Sequence, residues 1–473
     1  MNCRARSLGP PDREVDVVVV GFGCAGSCAA IEAAARAEVL MVEGAPMAGG
    51  TSAAAHAILY LGGGTPVQRA CGFEDDAEQM FRYLMASCGP DPDPDLIAPY
   101  CEGSVEHFHW LCEQGIPFQA SFFPDGHFPE SDEGLVYSGN ERVHPFRDIA
   151  RPAPRGHIPH TPGPAGGLLM QKLSAATLQS GTDVVYGARC SALVQEDDGR
   201  VVGIVFDRDS QRCFVRARCG VVLTTGGFIY NDEMLRELAP DLLRCRHKVG
   251  TPTDDGSGIR MGMAAGAEAV GLDRGDVLLP LYPPPTLKQG LLVNREGARF
   301  INEDAYHGRI GEFALHRCGG EVWMIIDSSI DERPANTPAP LIAVEEDVAS
   351  LEQALGMPEG ALQATVTAYN EAARRGEDPL FHKGPEHVRP LIHPPYGALD
   401  LRMESAHYGG FTLGGLRIDA EGRVLRSPDE PIPGLFAAGR ASSGVAKRGY
   451  SSGLSLGDAS FFGRRAGRCA GRG

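Results

Sequence analysis

Near the start of the chain, Gly21-Phe22-Gly23-Cys24-Ala25-Gly26 and the acid Glu43 on the next apolar run have the types and spacing to hold a dinucleotide. Gly21 permits a tight turn, Gly23 leaves room for backbone to approach a pyrophosphate, and Gly26 lets helix and strand pack closely. The phosphates would rest on the helix N-terminus, where free N–H groups and the dipole favour negative charge. Glu43, about 20 residues on, stands where a carboxylate accepts ribose hydroxyls. A lone glycine motif says little in a chain with 61 glycines. Here the run Val17-Val18-Val19-Val20 precedes it as a strand and a helical stretch follows, which is the context such a site needs.

Other chemistry is thin. His107/His109, His157/His160 and His387/His393 are pairs without a third ligand at a usual spacing, so no metal site is expected. The 13 cysteines show no repeated spacing, and a disulfide between Cys24 and Cys28 would disturb the phosphate site. They read as thiols in a reducing cytoplasm. A net charge of −17 argues against a nucleic-acid partner. No apolar run approaches the roughly 20 residues that span a bilayer, and Met1–Glu14 has no hydrophobic core of a signal peptide. No motif sets an oligomeric state.

At 473 residues the chain exceeds what one core organises. Helical spacing predicts helices over Asp75–Ser87, Pro94–Gly115, Gly166–Ser180 and Pro358–Arg374. Strands are expected at Asp183–Tyr186, Ala192–Glu196, Val201–Phe206, Cys213–Arg218, Gly220–Thr225 and Val322–Asp327, with a hairpin turn at 197–200 and a hairpin-like stretch over Leu291–Asn302. The proline-rich stretch Ile116–Pro164 reads as irregular and should cover a surface or a site. The texture changes between about Asp273 and Tyr408, and the glycine pattern resumes at Gly409. The expected fold is α/β: a nucleotide domain of 1–273 and 409–473, interrupted by an α+β domain of 274–408. The substrate would bind in the cleft between them.

Several stretches appear together and in order: Gly49-Gly50-Thr51-Ser52, Thr224-Thr225-Gly226-Gly227-Phe228, Asp255-Gly256-Ser257-Gly258, Arg299-Phe300-Ile301-Asn302-Glu303, Thr412-Leu413-Gly414-Gly415-Leu416 and Gly453-Leu454-Ser455-Leu456-Gly457-Asp458. With the opening motif they resemble the fumarate reductase/succinate dehydrogenase flavoprotein superfamily. Gly449-Tyr450-Ser451-Ser452-Gly453, and Tyr306 after Asn302-Glu303, are similar to the 3-ketosteroid dehydrogenases of the Δ4-(5α) type. The resemblance implies a glutathione-reductase-type, Rossmann-like FAD-binding domain interrupted by a catalytic, capping domain. It implies FAD contacts from Gly21, Gly23, Cys24, Ala25, Gly26, Glu43, Gly44, Gly50, Thr51, Ser52, Cys190, Thr225, Gly226, Asp255, Gly439, Leu454, Ser455 and Leu456. It also implies that Tyr450, Ser452 and Tyr306 are catalytic.

The chain departs from fumarate reductases. Phe411 stands where they have a histidine, and Tyr306-His307 occupies the neighbourhood of their catalytic arginine, leaving Arg309 as a partial substitute. His56 lacks the context of a covalent flavin link, so non-covalent FAD is expected. Arg440 stands where relatives have an acid or asparagine.

The chemistry implied is formation, or in reverse reduction, of a C=C bond conjugated to a ketone in an apolar cyclic substrate such as a 3-ketosteroid. A proton leaves one carbon and a hydride passes from its neighbour to flavin N5. Tyr450 and a backbone N–H near Gly453–Leu454 would hold the ketone oxygen. Tyr306, Ser452 or both would take the proton, with His307, Arg309, Lys447 and Arg448 as candidates to favour a phenolate. Leu278-Leu279-Pro280-Leu281-Tyr282 and Phe118, Phe122 and Phe123 are candidate pocket walls. With no second dinucleotide motif, a quinone, another diffusible acceptor or oxygen would reoxidise the flavin. A fumarate-reductase-like reductase of a small unsaturated acid and a flavin-binding electron-transfer protein are the alternative readings.

Overall fold

Val17, Val18 and Val19 are fully buried because sheet neighbours and helices cover both faces of their strand, as a central parallel strand requires. The structure, a computed structural model, describes residues 2–124, 134–282 and 284–473. Strand β1 (Arg13–Val20) runs into helix α1 (Cys24–Ala34) and returns as β2 (Val39–Glu43). Strand β3 (Asp183–Tyr186) pairs parallel with β2, and β4 (Gln211–Leu223) pairs parallel with β1.

The expected strands 213–218 and 220–225 are one strand, β4, with a register shift between Ala217 and Gly220. The shift lets one strand serve two neighbours. Its first half pairs antiparallel with Val201–Arg208, its end parallel with a later strand. The helices lie within a few residues of expectation: Ala77–Ser87, capped by Asp76, then Pro94–Glu113, Ala165–Gln179 and Ala361–Ala373.

Strand β5 (Gly275–Leu278) is followed by helix α2 (His307–Cys318), which packs against it. An antiparallel sheet of Leu291–Asn294, Val322–Asp327, Tyr396–Asp400 and Leu341–Glu345 builds the interrupting region. Strand β6 (Gly409–Thr412) pairs antiparallel with β5 and parallel with His247–Lys248, so the expected boundaries near 273 and 408 meet in one small sheet. Strand β7 (Glu430–Ala437) completes the parallel layer beside β4, and helix α3 (Leu454–Ala470) closes the chain over α1. Gly467 sits where a Cβ would lie 2.0 Å from the Ala29 carbonyl oxygen, and Gly463 and Gly471 face Ala25 and Ala33 in the same way. This four-residue repeat of glycine against alanine brings the two backbones close.

The 116–164 stretch is less irregular than expected. Phe122–Phe123, Leu135–Val136 and Gly156–His157 form a small sheet with Leu59–Tyr60, and Phe146–Ile149 is a helical turn. These edges find partners far along the chain, which local patterning does not show. Residues 125–133 of that stretch, and Pro283 of the proline run, lie outside the described residues. Among the described residues no helix is long and apolar enough to cross a membrane.

Candidate active site

The turn after β1 is built for close approach. Gly21 has φ +105°, and a Cβ there would lie 2.6 Å from the Thr224 carbonyl oxygen; one on Gly26 would lie 2.0 Å from the Gly21 carbonyl oxygen. Only glycine lets α1 begin so tightly against the sheet. Ser52 Oγ accepts from the Cys24 N–H at 3.1 Å, which leaves the serine hydrogen to donate elsewhere. Glu43 accepts from the Phe22 N–H at 2.6 Å and from the Ala45 N–H at 2.7 Å, one on each carboxylate oxygen. Each oxygen keeps a lone pair for a ribose hydroxyl.

A cavity of about 390 Å³ continues from this cradle to the tyrosines. Gly21, Gly23, Cys24, Ala25, Glu43, Gly44, Gly50, Thr51, Ser52, Cys190, Thr225, Gly226, Asp255, Gly439, Ser455 and Leu456 line it, with Tyr306, Tyr450 and Ser452. Gly26 and Leu454 do not. Gly26 packs beneath Gly21 and Thr224, and Leu454 is fully buried at the start of α3. The cradle, the acid and the cavity that continues from them fit a dinucleotide.

Two helix starts present hydroxyls to the cavity. Tyr306 caps α2, and Ser452 precedes Gly453, whose φ of +98° starts α3. The Tyr306 hydroxyl lies 2.8 Å from Ser452 Oγ. The Tyr450 hydroxyl accepts from the Ser455 N–H at 3.1 Å, so its own hydrogen is free to donate. The Tyr450 ring meets the Phe411 ring edge to face, centroids 5.1 Å apart. Burial pushes the Tyr306 phenol well above the usual tyrosine range, with Asp276 and Tyr450 adding to it. Burial also raises Tyr450, against the pull of its bond to Ser455.

Lys447, Arg448 and Arg309 do not stand beside the cavity tyrosines; the cation whose charge reaches Tyr450 and draws its phenol down is Arg440, in the same cavity wall. Lys447 pairs with Asp93 at 2.8 Å and Arg448 with Asp273 at 3.2 Å. Arg309 lies over the Phe146 and Phe313 rings at 5.1 and 4.6 Å, outside the cavity lining, and so does not replace a carboxylate clamp. His307 lines the cavity against the Tyr306 ring, and burial lowers it to about 4, so it is neutral at pH 7. Of the backbone donors expected near Gly453–Leu454, the Leu454 N–H is already given to the Ser451 carbonyl at 3.1 Å, while Gly453 lines the cavity. Of the candidate pocket walls only Leu278 lines the cavity. Leu279 and Leu281 are fully buried, while Phe122 and Phe118 pack on Phe73 and Phe108.

Sequence reasoning missed the Arg440–Asp254 ion pair in the cavity wall, 2.8 Å long and mostly buried. The Thr51 hydroxyl donates to the same carboxylate at 2.6 Å. The partners are 186 residues apart, so no local spacing signals them.

The chain matches the family described as "FAD binding domain" over residues 16–456, from β1 into α3. It belongs to this FAD-binding family. FAD is therefore the dinucleotide of the cradle, and the chain is a flavin-dependent oxidoreductase. Among solved FAD-binding relatives, 3-ketosteroid-Δ4-(5α)-dehydrogenase from Rhodococcus jostii RHA1, in complex with 4-androstene-3,17-dione, has a TM-score of 0.94 and 44% identity, covering 99% of each chain. The 3-oxo-5-alpha-steroid 4-dehydrogenase of Comamonas testosteroni is 28% identical, covering 90% of this chain and 92% of its own. The fumarate reductase (cytochrome) of Shewanella frigidimarina is also 28% identical, covering 98% of this chain and 78% of its own.

Proposed function

We propose that the protein is an FAD-dependent dehydrogenase that forms a C=C bond conjugated to a ketone in an apolar cyclic substrate, a 3-ketosteroid or comparable ketone. The observation that carries this reading is the trio at the end of the cradle: Tyr450 with a free donor hydrogen, beside the Tyr306–Ser452 pair 2.8 Å apart. The relatives whose names specify 3-oxo steroids support the substrate class.

The Gly21–Gly26 turn, Ser52 and Glu43 hold FAD without a covalent link, and bound FAD supplies the two-electron acceptor. Tyr450 donates to the ketone oxygen and so acidifies the adjacent C–H. One preorganised donor of this kind contributes about 3–4 kcal/mol. Burial keeps Tyr306 neutral, which disfavours a free phenolate. Tyr306 instead accepts the carbon's proton as its own hydroxyl proton passes to Ser452, and Ser452 passes one on to water. The electrons leave to a quinone or another diffusible acceptor. Domain limits of 1–273, 274–408 and 409–473 fit the small sheet that joins β5 and β6. The unpaired thiols suit the cytoplasm.

The test is anaerobic mixing of the yellow holoenzyme with a saturated 3-ketosteroid. Bleaching of the flavin is expected. A flavin that no ketone bleaches, but that fumarate reoxidises after chemical reduction, would reject the reading.

A further inference from the structure

From the cavity wall back into the core, a closed ring of largely buried hydrogen bonds joins the two proton-transfer hydroxyls through a third segment of the chain. The Tyr306 N–H donates to Asn140 Oδ1 at 2.9 Å, and the Asn140 N–H donates to the Tyr83 hydroxyl at 2.8 Å. The Tyr83 hydroxyl lies 2.8 Å from Ser451 Oγ. Next to Ser451, the Ser452 N–H donates to the Ser138 carbonyl at 2.8 Å, and Ser452 Oγ closes the ring on the Tyr306 hydroxyl. Asn140 is 3% exposed and Tyr83 1%, and neither lines the cavity.

The segment carrying Asn140 is itself fixed. A Cβ on Gly139 would lie 2.1 Å from Ser451 Oγ and 2.5 Å from the Tyr83 hydroxyl, so the loop meets these groups at a distance only glycine allows. The buried Glu141 carboxylate accepts from the Gly139 N–H at 2.9 Å and from the Tyr60 hydroxyl at 3.1 Å. Tyr306 belongs to the interrupting region, Ser452 follows it in the chain, and Asn140 precedes both. One side-chain amide therefore sets how far the interrupting region carries its tyrosine toward the serine.

We propose that Asn140 is a positioning residue: with its backbone N–H held by the Tyr83 hydroxyl, which Ser451 holds in turn, its side-chain carbonyl keeps the Tyr306 backbone where its hydroxyl reaches Ser452. The structural part stands on the ring alone; its kinetic consequence rests on the dehydrogenase reading above. A proton relay is sensitive to placement, and a misplacement of about 1 Å costs about a hundredfold in rate.

Crystal structures of the Asn140→Ala and Tyr83→Phe holoenzymes test the structural part without any substrate. The expected result is a Tyr306 hydroxyl out of hydrogen-bond reach of Ser452 in Asn140→Ala, and a smaller shift in Tyr83→Phe. An unchanged Tyr306–Ser452 contact in either variant that folds and keeps its flavin overturns the proposal. Anaerobic bleaching by a saturated 3-ketosteroid tests the consequence. Asn140→Ala is expected to slow it about 10- to 100-fold, with little change in the ketone concentration that half-saturates it. The isotope effect of deuterium next to the carbonyl should rise, and Asn140→Asp, which keeps the acceptor oxygen, should restore most of the rate. A wild-type rate in Asn140→Ala, or an equal loss in Asn140→Asp, overturns it. A wild-type enzyme that no ketone bleaches rejects the substrate reading instead, and the two crystal structures still decide the role of Asn140.

Discussion

Replacing Tyr450 by phenylalanine removes one oxygen atom and leaves the ring seated. The ring is held edge-on by Phe411 at 5.1 Å and is enclosed by the cavity wall, so its place under the substrate should not change. What is lost is the hydroxyl donor proposed for the ketone oxygen. A preorganised donor of this type is worth about 3–4 kcal/mol in the transition state, or roughly 10²–10³ in rate. The loss should fall on the rate of flavin bleaching rather than on ketone binding, because the hydrogen bond strengthens as charge develops on the oxygen. A second effect is structural. The part-buried Ser455 N–H loses its acceptor, which costs at most the roughly 1–3 kcal/mol of a fully buried unpaired donor, so the melting temperature should drop slightly while flavin content holds. Burial keeps the Tyr450 phenol protonated well past neutrality, so the wild-type to variant ratio should be flat from pH 6 to pH 9. Stopped-flow bleaching under anaerobic conditions reads the rate and its pH dependence, and a thermal melt of the holoenzyme reads the second effect. A slowing of less than about tenfold, or a ratio that collapses at high pH, would refute the donor role.

Further outcomes follow from other residues. Burial raises the Asp458 carboxyl to about 7, above its unfolded value near 3.9. The folded state therefore holds a proton that the unfolded chain releases, so stability is full below about pH 4 and falls as pH rises toward 7, by about 4 kcal/mol in all. Asp458→Asn should stabilise the holoenzyme at pH 8 and do nothing at pH 4 in denaturant titrations; an equal effect at both pH values would contradict this. Gly26→Ala should weaken FAD binding at least about tenfold in equilibrium titrations, since overpacking this contact costs about 1–3 kcal/mol and moves α1 from the Gly21 carbonyl. Arg309→Ala should leave ketone bleaching within about threefold, because its guanidinium lies on Phe146 and Phe313; a large loss would restore it to the site.

The nucleotide half was legible in the sequence because its requirements are local. Tight turn, close approach and helix start each demand glycine at a fixed spacing, and Glu43 must end the next strand. The reactive trio was legible only through family resemblance: nothing in the spacing of Tyr306 and Ser452 places their hydroxyls 2.8 Å apart. The side chains around them were not legible at all. Lys447, Arg448 and Arg309 lie close to the tyrosines in sequence yet turn to Asp93, Asp273 and two phenylalanine rings, because the acids that pair with the first two come from far along the chain. Arg440–Asp254 and the Asn140 ring join distant segments, and only the folded chain brings them together. Gln211–Leu223 misled in another way. Its kink resembles a strand end, and the pairing of its two halves with different partners is a tertiary fact.

The most direct measurement is a crystal structure of the holoenzyme with an unsaturated 3-ketosteroid bound. The carbonyl oxygen should lie about 2.7–3.1 Å from the Tyr450 hydroxyl, with the Tyr306 hydroxyl facing the carbon next to the carbonyl. A ketone turned toward Arg440, with the Tyr450 hydroxyl touching only Ser455, would contradict the assignment.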